Sequence, residues 1–249
     1  MSLLPLYWRA WRARLRDHRT ELGTLLSALS VGDCALDVGA NKGSFAYLLA
    51  RRVGPTGRVI AFEPQARLAG YLHQVQRTLA WPQLDVRECG VSEHPGEMML
   101  FEPPAGDSPG ASLVPGGHIP ADWVGRPVPV VAIDEVMADL PGITVKAVKI
   151  DVEGHELSVL RGARETLARC RPTLVIECEQ RHLEDAGTDV HDLLRWLEAL
   201  GYEGSFVRGP SLVPVALFDP AVHQARVGER YWDRAGYRNN FVFVHPEAG

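Results

Sequence analysis

Ala35-Leu36-Asp37-Val38-Gly39-Ala40-Asn41-Lys42-Gly43-Ser44 is the stretch on which the fold turns: a short apolar run stops at an acid and glycines, and a helical pattern begins. This reads as a strand, a tight turn and a helix N-terminus. Gly39 and Gly43 carry no Cβ, so backbone can approach a ligand closely, and the first N–H groups of the following helix lack intrahelical partners. The dinucleotide fingerprint needs three glycines, G-x-G-x-x-G. Here there are two, with Asp37 before the turn. A carboxylate at that place repels a pyrophosphate and suits a cationic ligand such as S-adenosylmethionine, which carries an ammonium and a sulfonium.

A second apolar run, Arg58-Val59-Ile60-Ala61-Phe62-Glu63-Pro64, also ends in an acid, twenty residues beyond Gly43. An acid at the tip of the next strand accepts both hydroxyls of a ribose, the logic of the ribose-binding acid in doubly wound folds. Further along, a helix is expected from Gln65 to Leu79 and strands at Leu84–Cys89, Val128–Ile133, Val145–Asp151 and Thr173–Glu179, with a helix at His191–Leu200. Alternating strands and helices imply a mostly parallel sheet. Tyr202–Val207 and Phe241–Val244 have no crossover helix between them, so an antiparallel pair is expected.

Two segments stand apart. From Tyr7 to Leu29, Trp8, Trp11, Leu15, Leu22, Leu25 and Leu29 recur at helical spacing opposite Arg9, Arg12, Arg14, Arg16 and Arg19, with Gly23 a place to break. Residues 1–30 are read as an amphipathic extension that lies on the domain's edge or touches a membrane or partner. Residues 31–249 form the main domain. Within it, 95–129 holds eight of the eighteen prolines and six glycines, and is read as an inserted lid with Asp107, Ser108, Ser112, His118 and Trp123 turned to a substrate.

A net charge of −5 argues against a general nucleic-acid binder. Cys34, Cys89, Cys170 and Cys178 fall singly, as reduced buried thiols do. No apolar run approaches ~18 residues, and Met1–Leu6 precedes no cleavage site. A cytoplasmic chain is expected, with a homo-oligomer through the Trp8/Trp11 face left open.

Asp37, Glu63, Asp151, Glu153, Glu177 and Glu179 all fall at or beyond strand carboxyl ends, the ligand edge of an open α/β sheet. Through Asp37-Val38-Gly39-Ala40-Asn41-Lys42-Gly43, Phe62-Glu63-Pro64, Lys149-Ile150-Asp151-Val152-Glu153-Gly154-His155-Glu156 and Leu160-Arg161-Gly162-Ala163, the chain resembles the FkbM family of S-adenosylmethionine-dependent methyltransferases, from about Gly32 to Glu179. The resemblance implies a Rossmann-like class I methyltransferase fold, α/β, with a seven-stranded sheet whose last strand is antiparallel. It implies O-methylation of a saccharide or natural-product small molecule. It puts Asp37, Gly39, Ala40, Asn41 and Gly43 around the methionine part, Glu63 on the ribose, Cys89 and Gly90 near the adenine, and Asp151 beside the transferring methyl. Gly90 and His155 depart from the family's usual residues. The rival readings are a non-catalytic cofactor-binding scaffold and a nucleotide-sugar dehydrogenase.

An alcohol must lose its proton as it attacks, so a base has to stand within hydrogen-bond reach. Asp151, Glu153 and His155 are the candidates, with His182 a fourth. Asp151, Glu153, Glu177 and Glu179 also offer the oxygen ligands that magnesium prefers, yet no D-x-D or H-E-x-x-H spacing fixes a site, and Lys149 alternates onto the face of Asp151. The sequence therefore favours a metal-independent mechanism.

Overall fold

The computed structural model describes residues 2–117, 119–228, 230–234 and 236–247, apart from the side chain of Asp233. His118 lies outside the described residues. The main sheet has eight strands. They are β1 (Cys34–Val38), β2 (Arg58–Phe62), β3 (Leu84–Arg87), β7 (Val145–Ile150), β8 (Thr173–Glu177), β9 (Glu203–Arg208), β10 (Ser211–Pro214) and β11 (Asn240–Val244), in the order β3-β2-β1-β7-β8-β11-β9-β10. Neighbours from β3 to β8 are parallel, and β11 is antiparallel to both β8 and β9. The last strand therefore inserts antiparallel, as expected. β10 adds an eighth strand to the expected seven, through a two-residue turn at Gly209-Pro210.

Strand alternation assigns side chains to the two faces. Leu36, Val38, Ile60, Val148, Leu174 and Phe241 face one core, with α5 (Ile133–Ala138), α6 (Glu156–Arg161), α7 (Arg164–Cys170), α8 (Gln180–Asp185) and α9 (Val190–Ala199) on that side. Ala35, Val59, Ala61, Ala147 and Val175 face the other, against α2 (Arg19–Ser27), α3 (Ser44–Val53) and α4 (Ala66–Leu79). The three alanines let those helices lie close to the strands. A single turn, α10 (Pro220–His223), packs near Phe206 and Phe218 through His223. The chain breaks between α6 and α7 at Gly162-Ala163. A Cβ at Gly162 would lie 2.1 Å from Ser92 O, so this glycine lets the chain beyond β3 touch the break.

The N-terminal segment is α1 (Leu4–Arg12), a π-helical turn over Ala13–Asp17, and α2. It breaks at His18 (φ −132, ψ 38), not at Gly23, which stays helical. The expected apolar face is also corrected. Leu6, Ala10 and Ala13 are the buried residues before the break, whereas Trp8, Trp11 and Leu15 are 58%, 53% and 53% exposed. The small alanines permit close contact with Leu48 of α3.

A second, three-stranded sheet holds β4 (Gly90–Val91), β6 (Val124–Val131) and β5 (Gly96–Glu102), in that order. Residues 95–129 are thus a hairpin with a long tip rather than wholly irregular chain. β6 ends at Val131, and Ile133 opens α5 instead of ending the strand.

Candidate active site

A cavity of about 480 Å³ opens at the carboxyl ends of β1, β2, β7 and β8. Its floor is the turn after β1. Gly39 takes φ 76°, and a Cβ there would lie 1.9 Å from Asp151 O, so the glycine is demanded by the neighbouring strand end. Gly39 N–H and Ala40 N–H both donate to Phe62 O at 3.0 Å, and Gly43 N–H donates to Ala40 O at 2.8 Å. The N–H groups of Gly39, Ala40 and Gly43 in the turn are thus used within the fold.

Glu63, 2% exposed, lines the cavity at the tip of β2. Its Oε2 accepts from Asn41 N–H at 2.7 Å and its Oε1 from Gln65 N–H at 2.9 Å. Burial pushes its pKa up to about 7, against these two N–H groups, which favour the charge. Each oxygen keeps a second lone pair. Ala40 and Asn41 join it in the wall, Asn41 with φ 48°. Cys89 and Gly90 line the far side, next to Leu113.

Two residues expected to touch the cofactor lie off the cavity wall. Asp37 has no exposed surface and is not in the cavity wall. It alternates with Ala35 onto the face covered by α3, where the backbone N–H of Ala46 in the first turn of that helix favours its charge. Gly43 is also off the wall; at φ 74° it begins α3, and a Cβ would meet Leu72 at 2.5 Å. The parallel register places Lys149 opposite Asp37. The Lys149 ammonium reaches Asp37 Oδ1 at 3.8 Å, Asp151 Oδ2 at 3.1 Å and Gly39 O at 2.9 Å. Burial opposes its charge, but Asp151 and Asp37 outweigh that and raise its pKa. Burial likewise pushes Asp37 up, partly countered by Lys149.

Asp151 and Glu153 both line the cavity. Glu153 takes φ 52°, and its Oε2 lies 2.9 Å from His182 Nδ1. His182 is 4% exposed and not in the wall, so it reaches the cavity only through Glu153. His155 stands back from the cavity as well. It is 8% exposed, lies outside the wall, and places Nε2 2.9 Å from Ser92 Oγ. Burial lowers its pKa to about 4. The next residue, Glu156, is buried, accepts from Gly154 N–H at 3.0 Å, and has its pKa pushed up to about 7 by burial.

The acids at and beyond the end of β8 are held by the chain just before β11. Asn239 donates to Glu177 Oε1 at 2.7 Å, and Tyr237 OH donates to Glu179 Oε2 at 2.8 Å, with Arg181 Nε 2.5 Å away. Burial, then Asp151 and Glu153, raises the pKa of Glu177, which lines the cavity; Glu179 does not. Among the described residues, no group of three or more His, Cys, Asp or Glu is placed to hold a metal ion.

The inserted hairpin meets the cavity with Leu100, Pro109, Ala111 and Leu113 rather than with the polar residues expected there. Asp107 pairs with Lys42 at 3.1 Å and Arg67 at 2.9 Å, and Ser108 exchanges two backbone hydrogen bonds with the Gln65 amide. Ser112 Oγ donates to Glu153 O at 2.7 Å. Trp123 stands at Gly110, not in the wall. The N-terminal segment, which sequence reading left outside the site, supplies Arg9, Arg12 and His18 to the wall. Arginines at a helix surface carry no signal that distinguishes pocket from solvent.

Residues 37–203 match the methyltransferase FkbM domain. Among curated proteins, the hexuronic acid methyltransferase AglP of Haloferax volcanii is 30% identical over 158 residues, 63% of this chain and 61% of its own. The chain thus spans about three fifths of the length of that relative. Among solved structures, methyltransferase FkbM from Methylobacillus flagellatus KT superposes with a TM-score of 0.54 at 20% identity, covering 87% of this chain and 44% of that one. A methyltransferase-type protein of Streptococcus mutans, solved in complex with SAH, gives 0.52 at 9% identity, covering 92% and 97%. At these identities the structures speak for the fold, a class I methyltransferase α/β sheet, while the domain match spans most of the chain. The chain belongs to the FkbM methyltransferase family.

Proposed function

We propose that this protein is an S-adenosylmethionine-dependent O-methyltransferase acting on a hydroxyl of a saccharide or natural-product small molecule. One observation carries the reading: a single cavity joins the Glu63 carboxylate, fixed by two backbone N–H groups, to the Asp151 carboxylate, fixed by Lys149. The first suits a ribose diol and the second a cationic centre or a hydroxyl proton. S-adenosylmethionine supplies the electrophilic methyl group. Gly39, Ala40 and Asn41 shape the floor, and Cys89, Gly90 and Leu113 offer an apolar slot for a base. The neighbour solved with SAH and the family membership support the cofactor. The relative named for hexuronic acid supports a saccharide acceptor.

Asp151 takes the proton from the acceptor, and Glu153, backed by His182, orients it. His155 is assigned instead to holding the strand end against Ser92. No step is routed through a metal. Segment 95–129 is assigned as a cover for the acceptor, since it walls the cavity and is bonded to Glu153 O. The dehydrogenase reading is disfavoured because the turn's N–H groups that a pyrophosphate needs donate within the protein.

Calorimetry with S-adenosylhomocysteine and with NAD tests the cofactor. Binding of NAD alone overturns the proposal. Acceptor-dependent release of S-adenosylhomocysteine, screened over acidic and neutral sugars, separates an enzyme from a scaffold.

A further inference from the structure

The cations in the cavity wall differ in how their charge is met. Lys149 is shared between Asp37 and Asp151, and Lys42 pairs with Asp107. Arg12 pairs with Asp17 at 3.0 Å, but its Nε is buried without a hydrogen bond. Arg9 has no carboxylate partner among the described residues. Its Nη2 donates to Tyr71 OH at 2.9 Å and Lys42 O at 3.3 Å, its guanidinium lies 5.7 Å from the Tyr71 ring centroid, and its Nε too is buried and unpaired. Two guanidinium groups therefore enter one wall with donors unmet, against the cost of burying an unpaired donor.

Their position is set by packing. His18 stands edge-on to Phe45 at 5.4 Å, and the Phe45 ring lies 5.5 Å from the Lys149 ammonium. Arg9 is bonded to the carbonyl of Lys42, in the turn that also holds Gly39. The arginines thus border the end of the cavity built on β1 and β7, away from Cys89 and Gly90. That end offers an acid, Asp151, together with the Arg9 guanidinium, which has no carboxylate partner among the described residues, and the Arg12 guanidinium, whose Nε is unmet although Asp17, also in the wall, takes another of its donors; this is the complement of an α-amino acid's ammonium and carboxylate. Guanidinium matches carboxylate in a planar, two-pronged way.

We propose that Arg9 and Arg12 form a carboxylate-binding subsite that grips the amino-acid end of the cofactor, so that the N-terminal segment completes the binding site. This rests on the S-adenosylmethionine reading above. The test compares S-adenosylhomocysteine with 5′-methylthioadenosine, which keeps the nucleoside and the thioether and lacks the amino-acid end. Wild type, Arg9→Gln, Arg12→Gln, the double variant and Arg19→Gln are titrated with both; Arg19 is exposed, lies off the cavity wall and serves as the charge control. The expected result is that Arg9→Gln and Arg12→Gln each lose about tenfold to a hundredfold in affinity for S-adenosylhomocysteine, the scale of a hydrogen bond between charged groups. Affinity for 5′-methylthioadenosine stays within twofold, and Arg19→Gln matches wild type. Equal losses for both ligands, or none for either, overturn the subsite. Unchanged affinities with a raised KM for an acidic sugar overturn it as well, and give the pair to the acceptor's carboxylate. A wild type that binds S-adenosylhomocysteine no more tightly than 5′-methylthioadenosine also counts against it. A wild type that binds neither ligand overturns the cofactor reading itself, a different failure.

Discussion

Replacing Glu63 by glutamine changes one atom's chemistry at the centre of the site. In the protein, Oε2 takes the Asn41 N–H at 2.7 Å and Oε1 the Gln65 N–H at 2.9 Å. A glutamine has one oxygen, so whichever way it turns, its NH₂ confronts one of those donors. Stranding a buried N–H costs about 1–3 kcal/mol, and this cost is present without ligand. Losing an acceptor for a ribose hydroxyl weakens binding by a further ~1–3 kcal/mol, about tenfold or more in Kd. Apo thermal melts measure the first cost and calorimetry with S-adenosylhomocysteine the second. The wild type adds a second signature. Burial holds the Glu63 pKa at about 7 without ligand, so at about pH 6 only one site in ~ten carries the carboxylate that accepts two hydroxyls. Wild-type affinity should therefore fall about tenfold from pH 8 to pH 6, and the glutamine variant should show no such fall. A folded Glu63→Gln protein that binds within twofold of wild type at pH 8 refutes the assignment of Glu63 to the ribose.

Four other outcomes are expected. Asp151→Asn should lower kcat by about 10²–10⁴, the range for a lost general base; activity abolished by EDTA and restored by magnesium or manganese overturns the protein-base assignment. Gly39→Ala should cost ~4 kcal/mol or more, since the new Cβ would sit 1.9 Å from Asp151 O at a φ of 76°; a melting temperature near wild type contradicts this. Glu156 has a folded pKa raised to about 7 from 4.5, so its folded state keeps a proton that the unfolded chain releases, and stability present below about pH 4.5 is lost as pH rises to 7, by ~3 kcal/mol. His155, lowered to about 4, acts in the opposite sense, so the quantity to measure is urea stability of wild type minus Glu156→Gln, in which the histidine cancels; a pH-independent difference counts against the buried charge. Limited proteolysis within 103–123 should slow when S-adenosylhomocysteine and acceptor are added, and Ser112→Ala should quicken it by removing the bond to Glu153 O; cleavage indifferent to ligands makes the segment an ordinary loop.

The parts of the fold legible in the sequence were those with strong local signals. Apolar runs ending at Asp37, Glu63 and Asp151 marked three parallel strands, and the lack of a crossover before Phe241 marked the antiparallel insertion. What was not legible depended on partners distant in sequence. In the N-terminal segment two stripes compete, Trp8/Trp11/Leu15 and Leu6/Ala10/Ala13, and hydrophobicity favours the first. Close packing on α3 selects the second because alanine lets helices approach. The polar residues of 95–129 signalled a substrate surface, but Asp107, Ser108 and Ser112 are used to fasten the hairpin, a role that requires knowing where Arg67, Gln65 and Glu153 stand. β10 was hidden because Gly209-Pro210 reads as loop and equally serves as a hairpin turn.

Lys149 shows how these levels join. Alternation along β7 and the register with β1 put its ammonium on the same face as Asp37, beneath Phe45 and out of water. A buried cation needs opposed charge, and two carboxylates and the Gly39 carbonyl supply it. The turn after β1 and the end of β7 are thereby tied at one atom, with Gly39 allowing the strand ends to touch and Asp151 N–H donating to Val38 O at 3.1 Å. Asp37, with no exposed surface, is linked to the cavity through this lysine. Asp151 faces the cavity from the other side of the same ammonium, so its carboxylate is oriented before any ligand arrives. Removing Lys149 would strand Asp37 in the interior and release Asp151 together, so Lys149→Met is expected to lose fold and activity at once, while Asp37→Asn with Lys149 intact keeps Asp151 in place and separates the two effects.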